Sequence, residues 1–130
     1  NPDNEHPLPA VVQDLRARVQ HASGVLISSP EYAHGVPGVL KNALDWLVGG
    51  IELTDKPVAL FNASPRSTYA VESLNETLKI MGARLVSEAF VNVHLRGWTG
   101  DETSLVEDPA IREAVRFGLD AFRKAIAASR

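Results

Sequence analysis

Two short apolar runs place the strongest constraint on the fold of this chain. Val25 to Ile27 and Pro57 to Phe61 contain no polar residue, so neither run alternates between apolar and polar side chains. A strand that is apolar at every position is buried on both faces, as in a parallel sheet covered by helices. The two runs therefore predict an α/β protein built around a parallel sheet.

Segments with helical spacing lie before, between and after these runs. Apolar residues recur every three or four positions in four segments, 12–22, 40–47, 71–81 and 111–126. Glycines follow the first three segments and predict where those helices end, at Gly24, at Gly49-Gly50 and at Gly82. The pattern predicts four helices that alternate with strands.

The C-terminal half adds a predicted strand and a clear helix start. Residues 85–95 are predicted to form a third strand, one face of which consists of Ala89, Val91, Val93 and Leu95. A loop is predicted over 97–103. Asp108 and Pro109 predict the start of the last helix, because Asp caps the first amides and proline suits the first turn. The predicted order is α-β-α-β-α-β-α.

This order directs the search for a site to two loops. Ligands of parallel α/β sheets bind beyond the carboxyl ends of the strands, which here are followed by residues 28–36 and 62–67. A length of 130 residues predicts one domain, 1–130, and a hydrophobic content of 45% suffices for one core.

Composition argues against several function classes. The net charge is -3 and no basic stripe is present, so we expect no nucleic-acid partner. The chain has no cysteine, which excludes disulfides and thiol catalysis and fits a cytoplasmic protein. Its four histidines are dispersed, so we expect no metal site. No apolar run reaches the roughly 18–20 residues that span a bilayer, and the polar N-terminus does not resemble a signal peptide.

The first of the two loops has an unusual sequence. Residues 29–38 read SPEYAHGVPG, and the two prolines and two glycines fix the backbone while letting another group approach it closely. Backbone amides in such a loop can donate to a planar heterocycle that bears carbonyls. Tyr32 offers a ring for stacking, and His34 offers a donor or an acceptor. No catalytic side chain is needed for hydride transfer between cofactors, since the cofactors carry that reaction themselves.

The segment from Ser29 to Leu47, SPEYAHGVPGVLKNALDWL, resembles the central motif of the NADPH-dependent FMN reductase family, which includes chromate, quinone and azo-dye reductases. A motif of this length is far more specific than a lone GxGxxG. The resemblance extends more loosely from Asp3 to the end of the chain. It implies a flavodoxin-like, three-layer α/β/α fold with a parallel sheet.

The resemblance also implies cofactors and site residues. FMN would be the bound cofactor, and NADPH or NADH would be the electron donor. The residues expected to bind the cofactors are Ser29, Pro30, Glu31, Tyr32, Ala33, His34, Ser64 and Arg66. Many members carry Asn where Ala33 stands, and many are glycine-rich where Pro65 and Arg66 stand.

The activity implied is electron transfer from NAD(P)H through bound FMN to a quinone, a metal oxyanion, an azo compound or free flavin. Members of the family are homodimers or homotetramers, and the helix that matches residues 41–46 lies near the subunit contact.

The chain departs from the family pattern at its start. The family opens with a strand, a phosphate-binding loop at a helix N-terminus and a second strand, and nothing in this sequence matches those elements. We therefore expect an N-terminally incomplete domain, in which strand 25–29 lies at an open edge of the sheet until a longer polypeptide or a separate chain completes it. The alternative function is a non-catalytic, flavodoxin-like electron-transfer or oligomerisation module that cannot hold FMN.

Several individual residues allow competing interpretations. Ser64, His34 and Asp45 supply the residue types of a hydrolase triad, but no G-x-S-x-G elbow surrounds any serine. Arg66 is interpreted either as a ligand of a phosphate of FMN or NADPH or as a solvent-exposed loop residue. Trp46 is expected to pack or to contact another subunit rather than to stack on a cofactor.

Overall fold

A computed structural model describes residues 7–30, 35–63, 68–93, 95 and 99–129. The α-helices of this part are α1 (Ala10–His21), α2 (Gly38–Val48), α3 (Tyr69–Ile80), α4 (Glu102–Glu107) and α5 (Pro109–Ala128). The strands are β1 (Val25–Ser28), β2 (Pro57–Asn62), β3 (Arg84–Leu85) and β4 (Val91–Asn92).

All strand pairings in the described sheet are parallel and involve β2. β1 pairs along one side of β2, with Val25 opposite Val58. β3 and β4 pair along the other side, with Leu85 opposite Val58 and Val91 opposite Phe61. The parallel sheet predicted from the apolar runs is confirmed.

The two faces of β2 pack against different helices. Val58 and Leu60 lie in a core with side chains from α1, α2 and α3, whereas Ala59 packs with Phe122 of α5. Alternate residues of a strand point to opposite faces of a sheet, so helices cover both sides. This arrangement explains why β2 is apolar throughout, and it confirms the three-layer α/β/α prediction.

Helix boundaries agree with the sequence signals in most places. Asp108 caps α5 by accepting a hydrogen bond from the Ile111 amide at 3.0 Å, and α2 ends immediately before Gly49. Gly82 follows α3 with a φ of +83°, a backbone conformation that glycine adopts without strain.

Gly24 has a different role from the one predicted. Helix α1 ends at His21, so Gly24 does not end it. A Cβ atom on Gly24 would lie 2.8 Å from both Ile126 Cδ1 and Phe122 Cζ. The glycine therefore lets α5 pack closely beside the start of β1.

The prediction of one continuous strand over 85–95 is wrong. The chain forms β3, then a 3-10 turn over Ser87–Ala89, and then β4. Phe61 lies three positions after Val58 on β2, whereas Val91 lies six positions after Leu85 on the partner segment. The partner segment has three residues too many for a regular ladder, and the 3-10 turn takes them up.

The predicted loop over 97–103 is partly wrong, because α4 begins at Glu102. Asp101 caps this short helix by accepting hydrogen bonds from the Ser104 amide at 2.7 Å and from the Ser104 hydroxyl at 2.8 Å. Together these bonds hold the pKa of the Asp101 carboxyl below its usual value.

Two cations bind carbonyl groups near the ends of helices. Arg16 donates to the Trp46 carbonyl in the last turn of α2 at 3.0 and 3.1 Å, and its guanidinium lies 3.6 Å from the Glu52 carboxylate. Lys56 donates to the Ala22 carbonyl at 2.6 Å, just beyond α1. Positive charge at a helix C-terminus offsets the partial negative charge of its last carbonyls.

Candidate functional site

The carboxyl ends of the strands form one edge of the sheet. Ser28, the last residue of β1, pairs with Phe61, and Asn62 at the end of β2 pairs with Asn92 at the end of β4. The Val93 amide donates to the Asn62 carbonyl at 2.9 Å, which extends this pairing by one residue. Loops that leave β1 and β2 therefore start side by side, as the sheet rule requires.

Two of the eight predicted cofactor-binding residues lie in the described part of the chain. Ser29 is half-buried and Pro30 is exposed directly beyond β1, and the Ser29 hydroxyl donates to the Pro30 carbonyl at 3.0 Å. The other six fall outside the described residues: Glu31, Tyr32, Ala33, His34, Ser64 and Arg66. The cofactor-binding role of all eight residues stays a prediction.

Helix α3 begins at the same edge of the sheet. Its N-terminal residues Ala70 and Val71 line a small space together with Ile27, Ser29 and Asn62. The N-cap residue, Thr68, makes no side-chain hydrogen bond to the first turn. A helix N-terminus carries partial positive charge and amide donors, which suit an anion or a carbonyl oxygen.

The space between these elements is too small to hold a flavin. Its volume is about 10 Å³, whereas pockets for small molecules enclose roughly 300–1,000 Å³. The described residues therefore form a floor of packed side chains. A flavin ring would have to lie above the strand ends, against the loops that follow β1 and β2.

Asn92 was absent from the predicted site, and Asn62 was included only as the first residue of the predicted loop 62–67. They are register partners, so both point to the same face of the sheet. Asn62 borders the start of α3 and is half-buried, whereas Asn92 is exposed. A polar residue that directly follows an apolar run signals a strand end at Asn62. The corresponding signal at Asn92 was lost because the third strand was predicted to continue to Leu95.

Two other kinds of feature are absent from the described residues. No three of their His, Cys, Asp and Glu side chains come together in a group that could hold a metal ion. Within the same ranges, no helix combines the length and the apolar character that a membrane span requires.

Comparison with known proteins places this geometry in a family. The family model for NADPH-dependent FMN reductase matches residues 1–96. A quinone reductase of Escherichia coli K12 is 47% identical over 55 residues, which are 42% of this chain and 28% of that protein. An NADPH azoreductase of Bacillus sp. OY1-2 is 31% identical over 107 residues, 81% of this chain and 60% of that protein.

A solved structure agrees along the whole chain. FerB of Paracoccus denitrificans, a flavoenzyme NAD(P)H:(acceptor) oxidoreductase, is 27% identical with a TM-score of 0.80, and the match covers 99% of this chain and 74% of FerB. In the first curated relatives that it matches, the segment aligned with this chain makes up less than a third of the length of the relative. Since the family model covers well over half of the chain and the fold agrees with FerB, the chain belongs to the NADPH-dependent FMN reductase family.

Proposed function

We propose that this chain forms the ring-binding part of an NAD(P)H-dependent FMN oxidoreductase. Bound FMN would take a hydride from NADPH or NADH and pass electrons to a quinone, a metal oxyanion, an azo compound or free flavin. The observation that carries the proposal is the position of the motif of the family, which begins at Ser29, directly beyond the carboxyl end of β1. Ligands of parallel α/β sheets bind at that end.

In this proposal the chain positions the cofactor and contributes no nucleophile or general base. Backbone groups of the loop from Ser29 to His34 hold the edge of the flavin ring. Ser64 and Arg66 belong to the segment between β2 and α3, which leads into the N-terminus of α3. Asn62 is the last residue of β2 and precedes this segment directly in sequence. Positioning suffices because the nicotinamide and the flavin carry the reaction themselves.

We further propose a homodimer or homotetramer in the cytoplasm. Val39 and Trp46 are two helical turns apart on α2, so they share one face of that helix. They are 86% and 38% exposed, and a large apolar side chain such as Val39 gains from burial between subunits. The subunit contact would place this face of α2 against another copy of the chain.

Titration of the 130-residue chain with FMN and, separately, with riboflavin tests the proposal. We expect flavin fluorescence to be quenched with an affinity of about 1 μM or tighter. Equal affinity for both ligands would mean that this chain holds only the ring, and tighter binding of FMN would mean that it also holds the phosphate.

Two histidine variants form a matched pair for this titration. His34→Ala removes a predicted ring contact and is expected to weaken binding. His21→Ala changes an exposed histidine at the end of α1, near the amino end of β1 and away from the proposed site, and is expected to leave binding unchanged. Absence of flavin binding in the unmodified chain would contradict the proposal and favour a non-catalytic module of the same fold.

A further inference from the structure

The side of α5 that points away from the sheet carries a large, exposed aromatic side chain. α5 packs on the sheet through its buried residues Gly118 and Phe122. Phe117 precedes Phe122 by five positions, which corresponds to about 140° around the helix axis, so its ring points away from the sheet. It is 73% exposed. A single exposed apolar side chain is common on a protein surface, so the residues around Phe117 decide whether this side of the helix can bind a partner.

Small side chains line up with Phe117 along one flank. Ala110 lies seven positions before it, and Ala121 and Ala128 lie four and eleven positions after it, at spacings that place residues on the same side of a helix. Ala110 and Ala128 are exposed, and Ala121 is half-buried. Another helix can therefore approach this row closely, with the Phe117 ring as its largest contact.

Two charged side chains border Phe117 on its other flank. Glu113 lies four positions before it and Lys124 lies seven positions after it, and both are exposed. Neither has an ion-pair partner among the described residues. The neighbouring Asp120 pairs with Arg123 at 3.2 Å instead of with Lys124. The apolar centre of this side therefore has an anion at one end and a cation at the other, and both can bind a partner.

This arrangement is complementary to itself when two copies of α5 lie antiparallel. A twofold axis between them makes every contact reciprocal. The register that places Phe117 over Ala121 of the second copy also brings Glu113 within about 1.5 Å, the rise of one residue, of the level of Lys124 of the second copy. Symmetry repeats both contacts, which gives two apolar contacts and two ion pairs. A parallel arrangement would instead bring like charges together.

We propose that this outer face of α5, formed by Ala110, Glu113, Phe117, Ala121 and Lys124, binds a second copy of the chain in antiparallel orientation. The contact is separate from the α2 contact proposed above, because α2 and α5 pack on opposite faces of the sheet. One helix face buries less than the roughly 800 Å² on each partner that is standard for a stable interface. The α5 contact is therefore weak by itself, and it joins dimers formed through α2 into a tetramer.

Sedimentation equilibrium of the 130-residue chain at about 100 μM tests the proposal. Phe117→Glu puts a charge at the centre of the contact, at an exposed position where folding does not depend on the ring. It is expected to halve the mass of the assembly, from tetramer to dimer or from dimer to monomer. Val11→Glu is the matched control, because Val11 of α1 is 75% exposed, and it is expected to leave the mass unchanged.

Charge reversal tests the antiparallel arrangement. Glu113→Lys and Lys124→Glu each place like charges at both ion pairs, and each is expected to weaken self-association by about tenfold or more. When the two variants are mixed, both ion pairs form again between unlike chains, so the mixture is expected to regain the mass of the parent assembly. Each variant keeps a net negative charge, because it changes the parent's net charge of -3 by two units. General attraction between oppositely charged proteins therefore cannot explain association of the mixture.

Several results would overturn the proposal. They are a monomeric parent chain at this concentration, an unchanged mass for Phe117→Glu, an equal change for Val11→Glu, or charge variants that stay apart when mixed. A mass that falls with Leu119→Glu but not with Phe117→Glu would place the contact in the groove that Leu119 lines between α4 and α5. The flavin titration described above is a separate measurement, so failure of flavin binding and failure of this contact are distinguishable.

Discussion

Replacement of Gly118 by alanine tests how closely α5 approaches the sheet. Gly118 is buried in the middle of α5, and a Cβ atom there would overlap a γ-methyl group of Val91 and lie 3.2 Å from the Ala89 carbonyl oxygen. Helix propensity alone predicts a gain of about 1 kcal/mol for Gly→Ala. Overpacking of a buried site costs about 1–3 kcal/mol. We expect overpacking to dominate, since a backbone carbonyl cannot rotate away, and the free energy of unfolding to fall by about 1 kcal/mol.

Urea denaturation measures the effect. A loss of this size lowers the midpoint by about 0.5 M, for a urea dependence of about 2 kcal/mol per M. Gly38→Ala is the matched control, because Gly38 begins α2 and a Cβ atom there would have no neighbour within 4 Å. We expect Gly38→Ala to be neutral or slightly stabilising.

A double-mutant cycle identifies the cause. Val91→Ala removes the methyl group that overlaps the new side chain, so Gly118→Ala is expected to cost less in that background, with a coupling energy of about 1 kcal/mol. A Gly118→Ala variant that is as stable as the parent chain, or more stable, would refute the close approach of α5 to β4.

Two further predictions concern charged groups. Arg16→Ala is expected to lower the free energy of unfolding by about 1–3 kcal/mol, because it leaves the mostly buried Glu52 carboxylate without its cation. Arg18→Ala breaks an exposed ion pair and is expected to lower it by less than about 0.5 kcal/mol. Equal losses of the two variants in urea denaturation would contradict this prediction. Hydrogen bonds from Ser104 lower the pKa of Asp101 in the folded chain, so their stabilisation of α4 is complete above the unfolded-state pKa and is lost as pH falls through the folded-state pKa. Carboxyl NMR is expected to show a midpoint for Asp101 below the usual aspartate value and a higher midpoint in Ser104→Ala, and an unshifted midpoint would contradict this.

The layers of the fold were predictable because the central position of β2 requires an unbroken apolar sequence, which is visible without the structure. A central strand buried on both faces must be apolar throughout, and Val58, Ala59 and Leu60 meet this condition in sequence. Helix starts marked by a capping side chain, as at Asp108, were predictable for the same kind of local reason.

The third strand was mispredicted because its apolar residues belong to different elements and pack against different parts of the fold. Ala89 is buried in a 3-10 turn that packs with Phe122 of α5, whereas Val91 belongs to β4. Their spacing imitates a strand, although the strand is interrupted. The strand is interrupted because the segment has more residues than the ladder with β2 can pair. That limit comes from β2, which is distant in sequence, and cannot be read from residues 85–95 themselves.

The candidate site was predictable where a strand end determined it. Ser29 and Pro30 follow β1 directly, so the sheet rule places them. Asn92 could not be placed, because its strand end depends on the same misjudged interruption. The binding roles of all eight residues, Ser29 to His34 with Ser64 and Arg66, rest on the family resemblance and stay predictions.

The central position of β2 has a consequence for how the chain folds. Every strand pairing of the described sheet involves β2, and its ladder with β1 joins residues as far apart in sequence as Val25 and Val58. The chain between the two strands loses conformational entropy before any hydrogen bond of the ladder forms to offset the loss, and this makes parallel pairing slow. During synthesis β1 cannot complete its ladder with β2 until residue 62 has left the ribosome. The arrival of β2 is therefore expected to be the event that commits the chain to its sheet.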